Sequence, residues 1–114
     1  MIFCAATAFA QKQPTPVHII LDSDMGPDYD DVGAITILHA LADKGEAEIL
    51  ATIASTKYEG VAGVLNVFNT YFERPGIPIG VPKGNALNLR DFQHWTDTLL
   101  VKYPHKIKKV LTKN

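Results

Sequence analysis

Five aspartates fall within ten residues, in the stretch Asp22-Ser23-Asp24-Met25-Gly26-Pro27-Asp28-Tyr29-Asp30-Asp31. Carboxylates a few ångströms apart repel, raise one another's pKa and cost stability unless something cationic neutralises them. A hard divalent ion does so directly, because Ca²⁺ takes roughly six to eight oxygen ligands and Mg²⁺ about six, both favouring carboxylates. The competing use of such residues is a solvated turn that caps a helix, where acids suit the positive end of the dipole. One or two aspartates would meet that need. Five at the mouth of an apolar segment point to a metal or sugar site.

The elements around the loop are legible from their periodicity. Val17-His18-Ile19-Ile20-Leu21 is a continuous apolar run ending at Asp22, the pattern of a strand buried on both faces. From about Asp30 to Asp43, Val32, Ile35, Leu38, His39 and Ala42 recur at helical spacing, and Gly45 is placed to stop that helix. Glu48 to Ile53 reads as a second strand. Val61, Val64, Leu65, Phe68 and Phe72 form a second helical stripe, which Arg74-Pro75-Gly76 breaks. Ile77 to Val81 predicts a short third strand toward a sheet edge, since it contains Pro78. Phe92, Trp95, Leu99 and Leu100 mark a third helix ended by Tyr103-Pro104.

Strand starts near residues 17, 48 and 77 are separated by one helix each, the spacing of βαβαβ units with right-handed crossovers. The expected fold is α/β with an open parallel sheet. Ligands gather at the carboxyl ends of such strands, so the aspartate loop and Ser55-Thr56-Lys57 after strand two are placed to face one site.

Known arrangements of acids test the loop further. An EF-hand fails, because its required glycine would be Pro27 and its twelfth position would be Gly33 in place of Glu. The haloacid dehalogenase type of phosphatase uses Asp-x-Asp after its first strand, which Asp22 and Asp24 satisfy, with Asp22 as nucleophile; it gives no reason for Asp30-Asp31.

The stretch ILDSDMGPDYDDVGAI resembles the inosine-uridine preferring nucleoside hydrolase family, whose first strand ends in Asp-x-Asp-x-Gly followed by an aspartate pair opening the first helix. The resemblance runs through ILATIASTKYEGVAGVLNVFNTYF into Ile77-Pro78-Ile79-Gly80-Val81-Pro82-Lys83-Gly84 and covers residues 17–90. Here Asp28 lies inside a spacing two residues longer than the shortest form. The loop after strand two has Ser55-Thr56-Lys57 where many members place an Asn.

What the resemblance implies is a Rossmann-like nucleoside hydrolase fold, of which this chain is the N-terminal βαβαβ part. Members hydrolyse the N-glycosidic bond of ribonucleosides with a Ca²⁺ ion that holds the ribose hydroxyls and the attacking water. An oxocarbenium-like transition state needs nearby negative charge and a base for the water. Carried over by position, Asp24 and Asp31 are metal ligands and Asp24 is the base. Asp22 supports the loop or the ion as a further metal-site residue. Asp30, with Asp28 beside it, accepts hydrogen bonds from the ribose. Family enzymes have roughly 300 residues, and their remaining ligands and leaving-group acid come from later segments. The expectation is a part-site that binds divalent ions weakly and has little activity alone. A non-catalytic metal- or sugar-binding fragment is the remaining alternative.

Composition fits this frame. The 114 residues, 46% apolar and 20% charged, describe one soluble globular unit, and the net charge of -1 gives no global field for nucleic acid. Residues 1–10 (MIFCAATAFA) read as a signal peptide with Ala8-Phe9-Ala10 at its cleavage site, too short to span a bilayer, and 11–16 as a linker to the domain at 17–114. Export to the periplasm or the extracellular space follows. Cys4 is the sole cysteine, so no disulfide staples the fold. His18, His39, His94 and His105 lack metal-ligand spacing and read as structural or exposed. Trp95 reads as packing, Pro82-Lys83-Gly84-Asn85 as a turn, and the lysines from Val101 to Asn114 as a solvated helical face. The sequence leaves a homo-oligomer open.

Overall fold

The computed structural model describes residues 15–89 and 91–107. Helices and strands alternate: β1 (Val17–Ser23), α1 (Asp30–Asp43), β2 (Ala47–Ala54), α2 (Val61–Tyr71), β3 (Ile79–Gly80) and α3 (Trp95–Lys102). The strands form one parallel sheet in the order β1-β2-β3. This is a small α/β unit, as the strand spacing predicts. A bulge between Ile19 and Ile20 lets β2 run one residue further than β1 over the same ladder.

Two crossovers in the same direction put α1 and α2 on the same face of the sheet. Met25, Ile35, Ala54, Val61, Val64 and Leu65 make the core there, with Leu21, Phe68, Ile79 and Leu100 packed around them. None of the described helices covers the opposite face. Ile20 is 56% exposed and Leu50 41%, which corrects the expectation that the strands are buried on both sides. A continuous apolar run reads the same whether helices cover one face or two.

Local chemistry sets the helix limits. Gly45, at φ 72°, ends α1: its N–H donates to Ala42 O (3.1 Å) and Glu46 N–H donates to Leu41 O (3.0 Å). This is the paired bonding of a Schellman cap. The end of α2 repeats it with Glu73 in the left-handed position (φ 60°), where Glu73 N–H meets Thr70 O and Arg74 N–H meets Asn69 O. The first two turns of α2 are buried nearly all round, because the sheet lies on one side and α3 on the other. A Cβ on Gly63 would stand 2.6 Å from the Leu100 side chain, so the glycine permits that approach.

Two elements are shorter than their patterns predict. β3 keeps two ladder residues of the expected five, although Thr52 N–H still donates to Pro78 O at 3.0 Å; proline offers no donor in return. α3 begins at Trp95 rather than at Phe92, which is 86% exposed. His94 ahead of it is left-handed (φ 58°), breaking any helical path from Phe92. α3 stops at Lys102, since Tyr103 is extended before Pro104. The lysine segment is therefore not a helical face as far as Ile107. Residues 108–114, the expected signal peptide at 1–10 and most of the expected 11–16 linker lie outside the described residues. Among those described, no helix is long and apolar enough to cross a membrane.

A buried polar column ties the layers together. His39 Nε2 lies 3.1 Å from Asn69 Oδ1, and Asn69 Nδ2 donates to Thr52 Oγ1 at 3.1 Å. All three residues are fully buried, and the His39 ring stacks on Phe72 with centroids 4.6 Å apart. It joins α1, α2 and β2.

Candidate functional site

The aspartate loop leaves the carboxyl end of β1, where successive side chains point to opposite faces. Ser23 points inward and is buried, whereas Asp22 is exposed on the uncovered face. Ser23 Oγ donates to Asp31 Oδ2 (2.8 Å) and accepts from Met25 N–H (3.1 Å). Met25 itself is fully buried in the core. Asp24 is thus held between two anchored residues, and Asp31, in the first turn of α1, is tethered to the strand.

The carboxyls sense one another. Burial pushes the Asp31 carboxyl above its ordinary range, the Ser23 hydroxyl pulls it back, and the charges of Asp30 and Asp24 raise it further. Asp28 is raised by its hydrogen bond with Asp30, and then by the charges of Asp30, Asp24 and Asp31. Asp30, the acceptor in that bond, is lowered. Asp28 therefore bonds to Asp30, and Asp31 is raised by both Asp30 and Asp24. Among the described residues, basic side chains pair with Glu48, Asp43 and Asp97, and with none of these four acids.

This donor set consists of hard oxygens that repel one another and that, among the described residues, pair with no cationic side chain. In its chemistry it fits a hard divalent ion. In its geometry it is a partial shell: among the described residues no three acids, histidines or cysteines converge into a ready-made cage. Asp22, on the far face, stands apart from these four acids.

A second segment clasps the loop, and the sequence reading missed it. Trp95 Nε1 donates to Gly26 O at 3.2 Å, the Tyr29 and Trp95 rings lie 5.6 Å apart, and Tyr29 OH donates to Gln93 Oε1. Asp91 organises that segment. Its carboxylate accepts from Gln93 N–H (2.8 Å), Thr96 N–H (2.8 Å) and Thr96 Oγ1 (2.9 Å). Burial alone would raise the Asp91 carboxyl, but these bonds hold it below the usual range. The backbone of Asp91 lies near Gly26: a Cβ on that glycine would be 3.7 Å from Asp91 N. An acid that caps a helix start from four residues before it was the available signal.

Among the described residues, the loop after β2 meets the first loop at its root, where Ser55 N–H donates to Ser23 O at 2.9 Å. Beyond that, Thr56 turns inward. Its hydroxyl donates to Leu87 O (3.1 Å) and accepts from Leu89 N–H (3.0 Å), which secures the 87–89 strip. Thr56 is therefore occupied in holding the fold and does not face the acids. Comparison with protein-family models, with curated proteins and with solved structures finds no match for this chain.

Proposed function

We propose that the aspartate loop holds a hard divalent cation, Ca²⁺ above all, and that the chain is the N-terminal part of a Rossmann-like nucleoside hydrolase acting on ribonucleosides. The observation that carries this reading is the closeness of Asp24 and Asp31 at the carboxyl end of β1, where Ser23 Oγ holds Asp31 and, among the described residues, no basic side chain pairs with either acid.

In this reading Asp24 and Asp31 bind the ion, and Asp22 supports β1 from its exposed face. Bound there, the ion would neutralise the loop and lower the pKa of a water. Asp24 is the base that takes the proton from the attacking water. Asp30 and Asp28 accept hydrogen bonds from the ribose hydroxyls, and the loop's negative charge favours an oxocarbenium-like transition state. Residues 1–10 direct export. The 114-residue chain alone supplies part of the site and turns over little nucleoside.

Two assays test the proposal. Millimolar Ca²⁺ should raise the unfolding temperature of the chain, and Mg²⁺ less so, by linkage to the folded state. Inosine and uridine incubated with the purified chain should be cleaved far below the roughly 10 s⁻¹ of an ordinary enzyme. Turnover at an ordinary rate would contradict the part-site reading, and an unfolding temperature indifferent to Ca²⁺ would contradict the ion site.

A further inference from the structure

The polar column sets the protonation state of His39. Asn69 donates to Thr52 through Nδ2, so its Oδ1 faces the imidazole, and the proton on the ring sits on Nε2. The other nitrogen, Nδ1, is buried and has no hydrogen-bond partner. A second proton must go there, creating a cation in a fully buried ring with nothing to accept from it.

We propose that His39 is an acid-sensitive latch: neutral, it locks α1 against α2 and β2, and protonated at Nδ1, it releases α1.

The surroundings give that proton no help. From β2 the ring meets Thr52, and from α2 Asn69, both neutral; Phe72 at the end of α2 offers a ring face. The charged groups are Asp43, one turn further along α1, and Arg74, after α2. They pair with each other at 2.6 Å, so their opposite influences on His39 largely cancel. Burial pushes the imidazole below its ordinary 6.5, with the Asn69 bond and Asp43 opposing and Arg74 adding. The sign follows from linkage. A histidine whose folded pKa lies below 6.5 contributes nothing to the pH dependence above that value. Below it, the released state binds the extra proton, and the opening equilibrium grows by up to about tenfold per pH unit, or about 1.4 kcal/mol.

α1 is held to the core by Ile35, Leu38 and His39, and Asp30 and Asp31 open the same helix. Release of α1 in mild acid therefore also loosens the tether between Ser23 and Asp31. The latch stands whether or not a cation occupies the loop.

Hydrogen exchange of the α1 and α2 amides in the 114-residue chain, followed from about pH 7.5 to about pH 5, is the test. It compares the wild type with His39→Gln, whose amide can donate to Asn69 and does not titrate. Exchange is corrected for its intrinsic pH dependence, and contributions from His18, His94 and His105 cancel in the comparison. The expected result is an opening equilibrium that rises at least tenfold across this range in the wild type and stays nearly level in the variant. Parallel profiles would overturn the latch. Should His39→Gln not fold, the wild-type imidazole resonances decide. The His39 signal should hold its neutral shift as the pH falls and change only as the α1 amides lose protection. A His39 signal that titrates with α1 still protected would equally overturn it.

Discussion

Beneath α1 and α2, each neutral group of the column His39–Asn69–Thr52 bonds to the next, while at the head of α1 four carboxylates act on one another and, among the described residues, none pairs with a basic side chain. Both clusters are polar and both bridge strand and helix, yet their energetics are opposite. Hydrogen bonds between neutral buried groups stabilise because their loss leaves unsatisfied donors and acceptors in a dry interior. Like charges held together near the surface oppose folding, and their arrangement is useful only to something that brings positive charge. Stability is therefore expected to reside in the column and cation affinity in the loop.

The sharpest way to break that division is Asn69→Leu, which keeps volume and removes both bonds of the column. We expect a loss of about 3 kcal/mol in urea unfolding at neutral pH, from the Nε2 of His39 and the hydroxyl of Thr52 left without partners. Next in size is Asp31→Asn. It keeps an acceptor for Ser23, so stability should change by less than about 1 kcal/mol while Ca²⁺ affinity falls at least roughly tenfold. Trp95→Phe retains the ring and removes the bond to Gly26 O. A cost of about 1 kcal/mol in stability is expected, with a several-fold loss of Ca²⁺ affinity in a titration followed by chelator competition. Smallest is Glu73→Gly, which relieves a left-handed non-glycine residue at the end of α2 and should stabilise by about 0.5–1 kcal/mol in the same urea experiment, without touching affinity.

Acid separates the two clusters as well. Asp31 has a folded carboxyl pKa above 3.8, so its contribution to stability is full below that value and is lost as pH rises through the folded pKa. His39 runs the other way, with stability lost as pH falls below 6.5. Ca²⁺ should therefore stabilise the chain most near neutral pH, where the loop is fully ionised and the column intact.

The helical stripes were readable because their periodicity is local: Ile35, Leu38 and His39 lie on one face of α1, as the spacing predicts. The acid loop was readable for the same reason, since its residues are contiguous. What sequence could not supply is pairing across the chain. Trp95 and Gly26 are separated by 69 positions, and the stripe that placed Trp95 in packing says nothing of its N–H. Asp91 lies outside every apolar stripe, and the helix expected from Phe92 hid its bonds to Gln93 and Thr96. Coverage of the second sheet face is likewise illegible, because β-branched residues alternate poorly and the direction of the crossovers decides it.

The central claim is that Asp24 and Asp31 form the cation site, and calorimetric titration of the 114-residue chain with Ca²⁺ at neutral pH tests it most directly, beside Asp24→Ala and Asp31→Ala. The wild type should show saturable, weak binding, with both variants silent while folded. Heats unchanged by both substitutions would contradict the account.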